Sequence, residues 1–278
     1  MTETATEETA GIRSGIDRMH DSIASGLARH GIALMSHAVV GYPSLEHNAR
    51  AIAALCDAGA DLMELQFPFS DPVADGPVLA SANQKALDTG IRVRDMLAFA
   101  AQTTARHPST AFVIMTYANI VFRHDCDAFL GEAARAGVVG LIIPDLPPER
   151  ADEYREACRR HRLGTVFLVT PTTSDARADQ VVSASSGFVY CVARPGVSGG
   201  ATRFTDDVLT RLRAVKSGSP VPLGVGFGIR TSDDVARLRG VVDIAIICTE
   251  VIRRIDADGI GPTAAYLAGL RDGPGAAG

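Results

Sequence analysis

Asp61-Leu62-Met63-Glu64-Leu65-Gln66-Phe67-Pro68-Phe69-Ser70-Asp71-Pro72-Val73-Ala74-Asp75-Gly76-Pro77 runs from an apolar strand-like segment directly into a loop rich in proline. The first half predicts a strand over Leu62–Gln66 with one carboxylate, Glu64, inside it. Burying a charge is costly, so a carboxylate in such a run marks a place where the acid is used. The second half adds Asp71 and Asp75, each beside a proline or glycine. Asp71, in Ser-Asp-Pro, reads as a turn former. Glu64 and Asp75 sit in unlike settings, one on a strand and one on a loop, which suits acid–base chemistry on a single substrate. Read structurally instead, Glu64 would be tied to backbone amides and Asp75 would shape a turn.

Seven further apolar runs flank this one: Leu34–Val40, Ala111–Thr116, Val139–Ile143, Val166–Val169, Phe188–Val192, Leu223–Gly226 and Ile244–Ile247. Most are apolar throughout, as in parallel strands buried on both faces. The segments between them carry helical spacing. Ala51, Ile52, Leu55 and Ala58 line one face before Gly59, and Ala128, Phe129, Ala133 and Ala136 do so before Gly137, with both glycines where helix C-caps belong. Asp152–His161 and Thr231–Arg239 are helical in the same way. Eight β/α units predict an α/β fold, a (β/α)8 TIM barrel, with an extra helix over Ile12–Arg29 closing its bottom. A doubly wound open sheet is the alternative, but no G-x-G-x-x-G follows the first strand. The expected organisation is a tail over 1–12, one barrel domain over 13–272, and a frayed end over 273–278.

The net charge of −5 argues against nucleic acid as a partner. No run is long enough to span a bilayer, and the acidic first residues predict no signal peptide. Cys56, Cys126, Cys158, Cys191 and Cys248 show neither C-x-x-C nor metal-ligand spacing, so reduced thiols, a cytoplasmic location and no metal site are expected.

In a barrel, function gathers at the C-terminal ends of the strands. Arg194–Gly200 after the sixth strand and Gly224–Ile229 after the seventh are rich in glycine, and freed backbone amides with a helix N-terminus can cradle an anion. With Thr231-Ser232-Asp233-Asp234 opening the next helix, a phosphate site is expected there. His37 falls at the end of the first strand, where a lone histidine is more often a hydrogen-bonded core residue than a catalyst. Tyr117, Tyr190 and Phe227 are placed to wall a pocket for a flat substrate, or simply to pack the top of the core. Asn119 reads as a backbone cap.

The segment Glu64–Pro77 closely resembles the signature of the tryptophan synthase alpha chain family. Supporting motifs are Gly41–Glu46, Met115–Phe122, Pro144–Pro147, Arg194–Gly199 and Gly226–Ile229, in that order, within a similarity running from about Met35 to Ile255. The resemblance implies cofactor-free retro-aldol cleavage of indole-3-glycerol phosphate to indole and glyceraldehyde 3-phosphate, with a beta subunit as partner. It implies Glu64 as the proton shuttle and Asp75 as the acceptor of the indole N–H. Glu64 would then be a semi-buried acid with a raised pKa, and Asp75 an exposed carboxylate that stays ionised. Tyr117, Ile142, Leu168, Tyr190 and Phe227, with His37, would bind the indole end. Ser198, Gly199, Gly228, Cys248 and Thr249 would bind the phosphate.

Four departures from the family pattern stand out: His37 in place of an aromatic residue, Pro195 in place of a serine, the pair Cys248-Thr249 in place of Gly-Ser, and Glu250 after it. A side chain at 248 and a charge at 250 are expected to loosen the phosphate site, and a paralogue supplying free indole to another pathway fits the same changes. Two other readings compete: a regulatory subunit that activates a partner with weak catalysis of its own, and another phosphate-binding barrel such as an isomerase or prenyl transferase.

Overall fold

The computed structural model describes residues 13–170, 172–192, 204–226 and 228–271. The strands are β1 (Ala33–Val39), β2 (Leu62–Gln66), β3 (Ala111–Met115), β4 (Gly140–Ile142), β5 (Gly164–Val169), β6 (Val189–Cys191), β7 (Leu223–Val225) and β8 (Ile244–Ile247). They pair in chain order and close, β8 against β1, into an eight-stranded parallel barrel. The helices are α1 (Gly15–His30), α2 (Leu45–Asp57), α3 (Pro77–Asp88), α4 (Val93–Arg106), α5 (Ala118–Arg123), α6 (Cys126–Arg135), α7 (Asp152–His161), α8 (Asp175–Ala184), α9 (Asp206–Ser217), α10 (Ser232–Leu238), α11 (Thr249–Asp258) and α12 (Ile260–Gly269). Each strand lies within two residues of its expected limits. The β2–β3 connection holds two helices, α3 and α4, which the sequence reading had not separated. The expected tail over 1–12 and frayed end over 273–278 lie outside the described residues. Among the described residues, no helix is long and apolar enough to cross a membrane.

Side-chain alternation sorts the core into two shells. Met35, Leu62, Val113, Ile142, Val166 and Ile246 pack together inside the barrel. Leu34, Met63, Phe112, Leu141, Phe167 and Val225 face the helices. Glu64 lies two residues beyond Leu62 and therefore also points inward. Strand register sets His37 opposite Glu64, and Val39 opposite Gln66.

The N-terminal helix α1 closes the bottom of the barrel, capped by the Ser14 hydroxyl, which accepts from Asp17 N. Its Met19 joins the inner shell, fully buried. Three glycines make room for it: a Cβ at Gly140 would stand 2.5 Å from Met19 Cε, one at Gly164 2.9 Å from the same carbon, and one at Gly187 2.9 Å from Met19 Sδ. Beside this plug, Asp61 is buried at 3% exposure. Its carboxylate accepts from Leu34 N at 2.8 Å, Arg29 Nη2 at 2.9 Å and Arg271 Nη2 at 2.7 Å. Arg239 Nη2 donates to the Arg271 carbonyl at 2.6 Å. One carboxylate thus ties α1, β1 and the segment after α12 to the start of β2, a role that the sequence reading had not assigned to it.

Candidate active site

Glu64 is 3% exposed at the end of β2. Its Oε1 lies 3.1 Å from His37 Nδ1, while Oε2 has no hydrogen-bond partner among the described residues. His37 itself is 1% exposed. Burial disfavours charge on its imidazole, but the adjacent Cys248 thiol and Glu64 carboxylate outweigh burial and hold it well above the usual histidine range. The expected semi-buried Glu64 is therefore a buried one, joined to a histidine that the sequence reading had treated separately.

Asp75 departs further from expectation. Instead of an exposed loop carboxylate, it is half-buried, and its Oδ2 accepts from Gln66 Nε2 at 2.5 Å and from Asn83 Nδ2 at 3.3 Å. Burial pushes its pKa up to about 6, against the opposing effect of the Gln66 hydrogen bond. The loop around it is fixed at several points. Asn83 on α3 accepts from Phe69 N at 3.0 Å and donates to Leu79 O at 2.8 Å, and Ala74 N donates to the Tyr117 hydroxyl at 3.2 Å. Gly76 N-caps α3, and Pro77 opens it. Proline suits that position because its missing N–H would have no helical partner there.

Tyr117, Ile142, Leu168 and Tyr190 all belong to the inner shell, near the C-terminal ends of β3, β4, β5 and β6. Phe69 completes this wall, stacked on Tyr117 with ring centroids 4.9 Å apart. Gly226 is required here: a Cβ on it would meet the Tyr190 hydroxyl at 2.2 Å. Phe227 lies outside the described residues, as do Ser198 and Gly199.

At the expected phosphate end, Gly228 adopts a φ of +66°, a backbone region that favours glycine. The start of α10 carries a capping box, in which Asp234 accepts from the backbone of Arg230 and Thr231 at 2.9 Å each. Its own carboxylate thus uses amides that an anion would need. The start of α11 has no side-chain cap; Cys248 is its N-cap and Thr249 its first residue. Glu250 was expected to repel phosphate, but it pairs with Arg254 at 2.9 Å and with Arg230 and Arg253 at 3.9 Å each. The Cys248 side chain points away from that helix start into the barrel, with Sγ 3.8 Å from the Tyr190 hydroxyl and close to His37 and Glu64. Cysteine spacing predicted no metal site, yet one ligating atom from each of His37, Glu64 and Cys248 lies within 4.8 Å of the others.

Sequence reasoning missed Gln66, Asn83 and Phe69. Gln66 and Phe69 stand within the opening stretch, and Gln66 shares the alternation that turns Glu64 inward, so that signal was present. Asn83 lies mid-helix, and nothing in its local sequence distinguishes it from a surface residue.

The chain matches the family model described as "Tryptophan synthase alpha chain" over residues 23–266. It is similar to the tryptophan synthase alpha chain of Syntrophotalea carbinolica, 40% identical over 253 residues covering 91% of this chain and all of that one. The corresponding chain of Desulforapulum autotrophicum is 41% identical over 239 residues, 86% of this chain and 94% of its own. Among solved structures, tryptophan synthase of Mycobacterium tuberculosis superposes with a TM-score of 0.84 at 34% identity, covering 92% of this chain and 97% of that one. The alpha chain of Legionella pneumophila superposes at 0.83 with 28% identity, covering 94% and 97%. Sequence, barrel and strand-end carboxylate agree, and the chain belongs to the tryptophan synthase alpha chain family.

Proposed function

We propose that this chain cleaves indole-3-glycerol phosphate to indole and glyceraldehyde 3-phosphate, as the alpha subunit of a tryptophan synthase. The observation that carries this reading is Glu64, buried at the barrel mouth with one carboxylate oxygen unpartnered among the described residues and aromatic walls around it. In this reading, the indole ring lies between Tyr117, Tyr190 and Phe69, with Ile142 and Leu168 beneath. Glu64 gives a proton to ring carbon C3 and takes one from the adjacent glycerol hydroxyl. The C3–glycerol bond then breaks, its electron pair returns to the ring, and the hydroxyl carbon becomes the aldehyde. Asp75 accepts the indole N–H and offsets the positive charge that protonation creates. Gly228, Thr249 and the uncapped start of α11 hold the phosphate. The cytoplasm is the proposed location, consistent with five free thiols.

Purified chain, alone and with a tryptophan synthase beta subunit, should release indole from indole-3-glycerol phosphate, faster when paired. Absence of indole in both mixtures would overturn the reading. Removing the substrate's phosphate should lower kcat/KM by roughly ten-fold or more, since each charge-assisted hydrogen bond contributes about 1.5–3 kcal/mol. Equal cleavage of the dephosphorylated compound would remove the phosphate assignment.

The Asp75 environment sets a pH dependence. Only the ionised carboxylate can offset the ring cation, and its pKa stands near 6. Activity should therefore fall as pH drops through about 6, rather than through the usual aspartate value of about 4. The measurement is kcat/KM against pH, which reports the free enzyme. An acid limb near 4 would contradict the role given to Asp75.

A further inference from the structure

His37, Glu64 and Cys248 come from the ends of β1, β2 and β8, three strands adjacent in the closed barrel. They supply an imidazole nitrogen, a carboxylate oxygen and a thiol, all within 4.8 Å of one another. Two polar atoms of the group, His37 Nε2 and Glu64 Oε2, are buried without a hydrogen-bond partner among the described residues, on residues only 1% and 3% exposed. Leaving such atoms unpaired is costly, and a buried pair of them beside a thiol points to a ligand.

We propose that His37, Glu64 and Cys248 bind one thiophilic divalent cation of the Zn²⁺ class, and that the bound ion switches the lyase off by occupying Glu64. Metal–sulfur bonds near 2.3 Å and metal–nitrogen or metal–oxygen bonds near 2.1 Å set tetrahedral donor separations of about 3.4–3.6 Å. One donor atom from each residue already lies within 4.8 Å of the others, so closure needs about 1 Å of side-chain movement at the widest pair. The donor set selects the metal. A thiolate with an imidazole suits Zn²⁺ or Co²⁺ and not Mg²⁺ or Ca²⁺, which take all-oxygen shells. Three protein ligands leave a fourth position open toward the substrate cavity, with the Tyr190 hydroxyl 3.8 Å from Cys248 Sγ at its edge. Ligation draws the thiol proton off and holds the Glu64 carboxylate, which the chemistry needs free to give and take a proton. Binding itself rests on this geometry alone. The switch rests also on the lyase reading.

Co²⁺ titration of the whole chain without substrate separates the two. The expected result is a thiolate-to-cobalt charge-transfer band that saturates at one equivalent, disappears in Cys248→Ser, and needs at least about ten-fold more metal in His37→Phe. No band in the wild type, a band retained in Cys248→Ser, or unchanged affinity in His37→Phe each overturns the site. Circular dichroism checks that the variants fold. Wild-type protein gives a second readout that needs no variant: Zn²⁺ should slow alkylation of Cys248 by iodoacetamide, followed by peptide mass spectrometry, and leave Cys56 unaffected. Equal alkylation with and without Zn²⁺ overturns the site. Zn²⁺ should then abolish indole release, and a chelator should restore it. Metal that binds as described while indole release stays unchanged overturns the switch and leaves the lyase reading intact.

Discussion

Glu64→Gln is expected to lower kcat for indole release by about 10²–10⁴-fold while the barrel stays folded. The amide keeps the volume of the acid and can still hydrogen-bond to His37 Nδ1, so the packing at the end of β2 should hold. It can neither give a proton to the ring carbon nor take one from the hydroxyl. Loss confined to kcat and kcat/KM alike marks an interaction made only in the transition state. Steady-state indole formation measures this, with circular dichroism and a thermal midpoint as checks on folding. Turnover within a few-fold of wild type would take Glu64 out of the proton transfers and leave it a partner of His37.

Asp61→Ala should destabilise the fold by about 3–5 kcal/mol, because it strips the buried Arg271 guanidinium of its counter-charge. Arg271 is 7% exposed and cannot recover that interaction from water. The substitution also removes the acceptor for Leu34 N at the edge of β1. Urea unfolding followed by circular dichroism reads the change as a lower midpoint with an unchanged slope. Replacing Arg271 as well should recover part of the loss, since the double variant no longer buries an unpaired charge. A single-variant loss under about 1 kcal/mol would mean that the cluster behaves as a surface ion pair.

The strands were legible because each is buried on both faces and so writes itself as an unbroken apolar run, bounded by glycine or a helix cap. The same logic exposed Glu64, since a lone carboxylate inside such a run contrasts with everything around it. Helices were legible where an apolar stripe ended at a glycine, as at Gly59 and Gly137. The division of the β2–β3 connection into α3 and α4 carried the same mark, Gly90 with a φ of +77° two residues after the end of α3, and the sequence reading passed over it.

The sequence by itself determined the barrel, the inward strand carboxylate, the loop acid that follows it and the family to which the chain belongs. These depend on neighbours a few residues apart, where periodicity and turn chemistry act. Only the tertiary structure decided that Asp75 is half-buried against Gln66 and Asn83, because its solvent exposure depends on where α3 packs. Only the closure of the barrel decided that His37, Glu64 and Cys248 meet. Cys248 lies at the far end of the chain from His37, and the two become neighbours because β8 pairs with β1. Strand register does the rest, setting His37 opposite Glu64. A residue's charge state and ligands depend on what surrounds it in space, and in a closed barrel the first and last strands share a surface that no local pattern records.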